Sequence, residues 1–277
     1  MNTTAIEKQG SNTLLKIFEK LGGWPVIDGS KWNESNFNWI ELMYKFKELG
    51  YSMNYFFKLC VGEDAKNNSR NVLYLSHPGY KLFSKYLVKG RNDNNVKIYY
   101  KFMIDIAVML GADRKRAEIE LEETLNFEIK FANISLLNDE QRNASLMYNP
   151  ITLSDLIKKY TYIPWREYIN TLFSHHLTFN DNELIIIESP QFLQELEKLI
   201  TTTPNRILAN YAIWKITEDS ILYLNEKIRQ VQLDYSKSMY GIIENKSRWS
   251  ECLEIVQNQL EIALEYLDIG IGIINGM

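Results

Sequence analysis

Histidine, cysteine and paired carboxylates are the side chains that most often do chemistry, and in this 277-residue chain they are few or scattered. A hydrolytic zinc helix needs two histidines at i and i+4, so that both imidazoles share a face and bind one ion. A glutamate between them activates the bound water. The chain has three histidines, His77, His175 and His176. None has a second histidine four residues away, and the adjacent pair would point about 100° apart on a helix. His77 sits in a Ser76-His77-Pro78-Gly79 turn. The two cysteines, Cys60 and Cys252, make neither a disulfide framework nor a zinc ligand set. Cys60 lies in an apolar, strand-like run and reads as a buried, inert thiol. There is no Gly-x-Ser-x-Gly nucleophile elbow and no phosphate-binding glycine loop. Carboxylates are plentiful but sit on helix faces. These residues predict no catalytic side chain, no metal ligand and no cofactor held by this chain.

Composition narrows the function classes further. With 45% hydrophobic and 24% charged residues the chain has an ordinary globular mix with an ample core. A net charge of −4 argues against nucleic acid as the main partner. No run approaches the ~20 apolar residues of a membrane span; Ile269 to Ile274 is far too short. Met1 to Gly10 is polar and carries no secretory signal, so read literally the polypeptide is cytosolic. Set against that are Asn-x-Ser/Thr sequons at Asn2, Asn33, Asn67, Asn133, Asn143 and Asn245. Asn33, Asn67 and Asn143 fall in polar loops and are the best glycan acceptors if the protein is exported.

The elements that must position any site are mostly helical. Thr203-Pro204 reads as an N-cap followed by a first-turn proline. Apolar residues then recur at Ile207, Tyr211, Trp214, Ile221, Leu224, Ile228, Val231, Tyr235 and Met239, in steps that place them on one helix stripe. This predicts one long helix from Pro204 to Tyr240, about 55 Å at ~1.5 Å per residue, as the spine of a mainly α, multi-helix lobe. Further helices are expected over Thr13 to Leu21, Asn36 to Leu49, Asn95 to Leu110, Asp113 to Ala132, Trp165 to Ser174, Ser189 to Thr202 and from Arg248 onward. Arg114, Lys115, Arg116, Glu118, Glu120, Glu122 and Glu123 read as a solvated helix face with i,i+4 pairs. Asn54 to Val61 and Asn71 to Leu75 read as a small β-hairpin (near 54–75) with a longer loop, and Leu184 to Ile187 as a buried strand. No repeat and no low-complexity linker divides residues 1–277.

Several short motifs, in order along the chain, carry a resemblance. They are Leu21-Gly22-Gly23-Trp24-Pro25 after a Leu-rich helix, then Val61, Asp64, Lys66 and Asn67 before an apolar run. Next come Ala132-Asn133-Ile134, Glu140-Gln141-Arg142-Asn143 and Tyr148-Asn149-Pro150-Ile151-Thr152-Leu153. Last are Thr203-Pro204 with Asn210-Tyr211 and Trp214-Lys215, and Arg248-Trp249 with Cys252. In this the chain resembles the N-terminal helical region of the neprilysin and endothelin-converting-enzyme family of zinc metalloendopeptidases. It departs at Ser76-His77, where the family has Asp-Gln before Pro-Gly.

The resemblance implies a lid lobe, incomplete at both ends, that encloses the cavity where peptides are cleaved. The zinc and its ligands would lie in a catalytic lobe of the same polypeptide, beyond this chain. Partners would be that lobe and peptide substrates, and the full-length protein would be an extracellular or plasma-membrane ectodomain and a glycoprotein. In the family the cysteine of Arg-Trp-x-x-Cys pairs with one far upstream, which here would immediately precede Met1. The resemblance thus implies that the partner of Cys252 lies upstream of Met1. The alternative reading is a stand-alone, non-catalytic peptide- or protein-binding module.

Overall fold

The computed structural model describes residues 3–78, 84–136, 146–173, 179–244 and 246–260. In chain order the elements are α1 (Thr3–Gln9), α2 (Asn12–Leu21), α3 (Pro25–Asp28), α4 (Trp39–Glu48), β1 (Lys58–Asp64), β2 (Asn67–Ser76), α5 (Ser84–Leu87), α6 (Asn94–Met109), α7 (Arg114–Leu136), β3 (Asn149–Thr152), α8 (Leu153–Lys159), α9 (Trp165–Phe173), β4 (Leu184–Ile187), α10 (Pro190–Thr202), α11 (Asn205–Ser220), α12 (Glu226–Tyr240) and α13 (Arg248–Gln259). The fold is mainly α with a small sheet, as the sequence predicts.

Side-chain caps set several helix starts. Asn38 accepts the Ile40 N–H at 2.8 Å to open α4, and Asp93 accepts the Asn95 N–H at 2.8 Å to open α6. Ser189 accepts from Phe192, with Pro190 in the first turn of α10. Gly22 ends α2 at φ +98°, a left-handed position that a side chain would strain. It turns the chain into Trp24-Pro25.

The four strands form one sheet in the order β1-β2-β4-β3. The β1–β2 hairpin is antiparallel, β2 runs parallel to β4 with Leu73 opposite Ile185, and β3 is antiparallel to β4. β4 is central and largely buried, which explains its unbroken Leu-Ile-Ile-Ile run. β3 was not legible as a strand because it contains Pro150; proline is tolerated there because β3 is an edge. The hairpin loop is also tighter than the sequence predicts. The strands run on to Asp64 and Asn67 and leave a two-residue turn, Ala65-Lys66. Asp64 Oδ1 accepts the Lys66 N–H at 2.9 Å, and this side-chain bond closes the turn. The polar residues that suggested a loop are the exposed start of a projecting ladder. Cys60 is half-buried on β1 rather than buried.

The predicted spine is two helices, not one. α11 ends at Ser220, a 3-10 turn covers Ile221–Tyr223, Leu224 is extended, and Asn225 caps α12 by accepting from Ile228. The Thr217 and Ser220 hydroxyls donate back to the Ile213 and Ile216 carbonyls at 2.7 and 2.6 Å, local bonds that weaken a helix end. The apolar stripe continues through the break because α12 folds back onto α6, stacking Tyr235 on Phe102 at 4.3 Å. A straight helix would leave that stripe in water. Thr203 likewise does not cap α11: its hydroxyl donates to Leu199 at the end of α10.

α11 is the centre of the lobe. Its residues from Leu208 to Trp214 are all buried, on every face. It lies against α7, α4, α3 and α2. A helix buried all round must satisfy its polar side chains internally, and those side chains are the motif residues.

Candidate functional site

At its N-terminal end α11 fastens the Trp24-Pro25 turn. Asn210 Oδ1 accepts the Val26 N–H at 3.0 Å, and its Nδ2 donates to Glu120 at 2.9 Å. Arg206 donates to Glu120 at 2.7 Å and to the Pro25 and Gly29 carbonyls at 3.0 and 3.1 Å. Arg116 donates to the Val26 and Ile27 carbonyls, both at 2.8 Å. Thus Glu120 and Arg116 are not part of a solvated face, as α7's charge pattern suggests. Glu120 is buried and Arg116 half-buried, because α3 covers that side of α7. Replacing Asn210 by alanine leaves the buried Val26 N–H unsatisfied, an expected loss of about 1–3 kcal/mol. A urea titration measures it, and a change under ~0.5 kcal/mol would show that the bond carries no weight.

One and two turns further along, the same helix closes a second buried network. Trp214 Nε1 donates to the Tyr99 hydroxyl at 2.7 Å, and Tyr99 donates to Glu128 at 3.1 Å. Lys215 donates to Glu218 at 2.9 Å, to Tyr99 at 3.2 Å and to Glu128 at 3.3 Å. Tyr211 donates to the Tyr55 carbonyl at 2.8 Å. Burial pushes the Tyr99 phenol and the Glu128 carboxyl above their ordinary values. Burial alone would push Lys215 down, but Glu128 and Glu218 outweigh it and hold its ammonium well above the usual range. The network therefore keeps a charged lysine between two carboxylates. Tyr99 and Glu128 are buried within it, and it fixes α6, α7 and α11 against one another.

The Asp64, Lys66 and Asn67 motif is anchored in the same way. The Asp64 carboxylate accepts from Lys66, from Arg70 Nε at 2.8 Å and from the Tyr148 hydroxyl at 2.9 Å. These bonds, the Lys66 N–H first, hold it below the usual carboxylate range. Asn149 Nδ2 donates to the Ile187 carbonyl at 2.9 Å, so the Tyr148-Asn149 motif ties the hairpin tip to the far edge of the sheet.

The Arg248, Trp249 and Cys252 motif opens α13. Arg248 donates to the Leu222 and Leu224 carbonyls at the break after α11. Glu251 accepts two bonds, at 2.7 and 2.6 Å, from the buried Arg229 of α12. Glu7 of α1 accepts the N–H of Glu226 at 3.1 Å. α1 and α13 therefore both meet the first turn of α12. Cys252 is half-buried; Met1, the expected neighbour of its partner, lies outside the described residues. The outer face of α13 is uncovered. Trp249, Leu253, Val256 and Leu260 are 68%, 39%, 48% and 51% exposed. Their 4-3-4 spacing is that of a helix-pairing seam.

Among the described residues no three His, Cys, Asp or Glu side chains converge on a point that could hold a metal ion. His77 Nδ1 lies 3.1 Å from the Pro78 carbonyl, with the ring edge-on to Phe192. His175 and His176 lie outside the described residues. Among the sequons, Asn33 and Asn67 are exposed, and each accepts a bond from the serine two residues on. Asn143 lies outside the described residues. No helix among them is long and apolar enough to cross a membrane.

These features define the class: a mainly helical fold with a small mixed sheet, in which several motif residues, Asp64, Asn210, Tyr211 and Trp214 among them, are buried cross-braces. Residues 1–268 match the N-terminal profile of peptidase family M13, and the chain belongs to that family. It is 38% identical over 266 residues to Neprilysin-2 of Drosophila melanogaster, covering 96% of this chain and 34% of that protein. To endothelin-converting enzyme 1 of Homo sapiens it is 28% identical over 268 residues, covering 95% and 34%. The chain spans about a third of the length of these relatives. Its fold is similar to that of a Mycobacterium tuberculosis zinc metalloprotease in complex with inhibitor, with a TM-score of 0.76 at 17% identity over 96% of this chain and 39% of that one. The open state of that protease gives a TM-score of 0.77 at 16% identity, over 97% and 40%. At these identities the likeness is one of fold.

Proposed function

We propose that this chain supplies the helical lobe of a neprilysin-like zinc metalloendopeptidase, covering the cavity in which peptides are hydrolysed. The observation that carries this reading is the uncovered seam of α13, Trp249, Leu253 and Val256 on one helix face with Leu260 at its C-cap. Such a stripe belongs against another helix, which the rest of the same polypeptide would supply. Family membership supports the same reading.

Zinc belongs to the second lobe in this account. The described residues do not fit a zinc ion, which needs three or four converging ligands, so no step of hydrolysis is assigned to them. This lobe's contribution is shape and rigidity: the buried networks on α11 hold the helices as one body, and the body limits what enters. The whole protein acts outside the cell on peptides, with glycans on exposed sequons. Cys252 pairs with a cysteine upstream of Met1. The meeting of α1 and α13 on α12 favours that pairing.

A second reading, a stand-alone binding module, draws on an open apolar cleft of about 850 Å3 between α8 and α9, lined by Ile157, Ile163, Pro164 and Trp165. One preparation tests both. The purified chain is expected to bind no stoichiometric zinc by elemental analysis and to cleave no peptide. Chelator-sensitive cleavage would contradict the lobe reading, and tight peptide binding by the isolated chain would favour the module.

A further inference from the structure

We propose that the recess beside Asn33 is a seat for the first N-acetylglucosamine of a glycan carried on that residue. The inference rests on the reading of the whole protein as an exported one. The recess holds about 310 Å3, at the small end of the ~300–1,000 Å3 of ligand pockets. Asn33 forms part of its wall, beside Trp32 and Phe37, whose rings lie 5.7 Å apart. Gly22 adds no side chain to fill it, and a Cβ there would meet nothing within 4 Å. Asn36, Glu19 and Lys45 supply polar groups at the same recess.

This lining matches the sugar. N-acetylglucosamine has an apolar C–H face and an acetamido methyl, which suit aromatic rings, and hydroxyls that suit amide and charged neighbours. Asn33 opens a short turn at the rim of the recess. Its Oδ1 accepts from the Ser35 N–H at 3.1 Å and from the Ser35 hydroxyl at 2.6 Å. That engages Oδ1 and leaves Nδ2 as the amide atom not used in these bonds. In the modification, Nδ2 loses one proton and forms a bond to the sugar C1. The donor is a lipid-diphosphate-linked oligosaccharide, whose C1–O bond breaks as the diphosphate leaves with the electron pair. Asn67 differs: it stands at the hairpin tip, where Ala65 through Arg70 are all exposed.

The test uses the full chain exported from a eukaryotic host behind an added leader, in an Asn67→Gln background. Peptide mapping by mass spectrometry is expected to find Asn33 occupied. Trimming the glycan to a single N-acetylglucosamine should leave the melting temperature unchanged. The same protein made in a host that adds no glycan, which keeps Asn33 and its bonds to Ser35, should melt about 2–4 °C lower. That difference should vanish when Trp32 is replaced by leucine and, where that variant does not fold, when Phe37→Leu is used. An unoccupied Asn33 would overturn the inference. So would an occupied Asn33 whose sugar leaves the melting temperature unchanged, or whose effect survives loss of the ring replaced. None of these outcomes bears on the lobe reading, which is tested by zinc and activity.

Discussion

Lys215→Met is expected to destabilise the lobe by about 3–5 kcal/mol, because it leaves Glu128 and Glu218 without their shared cation in a buried site. The direction of the lysine shift adds a pH signature. Its folded pKa is raised above the ordinary 10.5, so its contribution is present in full below that value and is lost as pH rises through the folded pKa. The buried phenols Tyr99 and Tyr211 act in the same direction, since they too ionise later in the folded state than their ordinary 10.0. Denaturant titrations from pH 7 to 11 should show the wild type weakening above about pH 10. The gap between wild type and Lys215→Met should narrow there. A variant as stable as wild type at pH 7, or a gap that widens at high pH, would show that the lysine is not the network's cation.

Trp214→Ala is the second large effect. Trp214 is fully buried, stacks on Trp24 at 6.5 Å and meets Phe102 edge-on at 5.6 Å. It also supplies the N–H that Tyr99 accepts. Truncating a buried tryptophan costs about 3–5 kcal/mol through lost contacts and the cavity left behind. Trp214→Phe restores much of the ring and should cost about 1–3 kcal/mol, the remainder reflecting the lost hydrogen bond. Urea unfolding measures both. If the phenylalanine variant is as unstable as the alanine one, the hydrogen bond rather than the ring dominates, and the packing account of α11 is wrong.

What was legible in the sequence is what periodicity and caps determine locally. The helix carrying Tyr211 and Trp214, the Ser189-Pro190 start, the glycine stop at Gly22 and the strand at Leu184–Ile187 follow from spacing and backbone chemistry, although α11 is buried on every face rather than along one stripe. What was not legible depends on which surface a neighbour covers. Glu120 and Glu128 sit on a helix rich in charge, and nothing in its pattern separates them from the exposed Glu118 and Glu123; α3, α6 and α11 do that in three dimensions. The break at Ile221 leaves no mark in the sequence pattern, because hydrophobic spacing is the same whether a helix runs straight or folds back at a turn. The seam of α13 carried the opposite difficulty. The spacing of Leu253, Val256 and Leu260 stands in the sequence, but only the structure shows that they, with Trp249, are left uncovered.

The most direct test of the lobe account is a hybrid in which this chain replaces the matching 266 residues of Neprilysin-2 of Drosophila melanogaster. Peptide hydrolysis by the purified hybrid is measured beside the parent, with and without chelator. The account predicts chelator-sensitive cleavage within about tenfold of the parent, about 1.4 kcal/mol in barrier. It also predicts loss of that cleavage when Trp249 and Val256 on the seam are both changed to glutamate. A folded, zinc-loaded hybrid that cleaves no peptide the parent cleaves, or one indifferent to the seam substitutions, would contradict it.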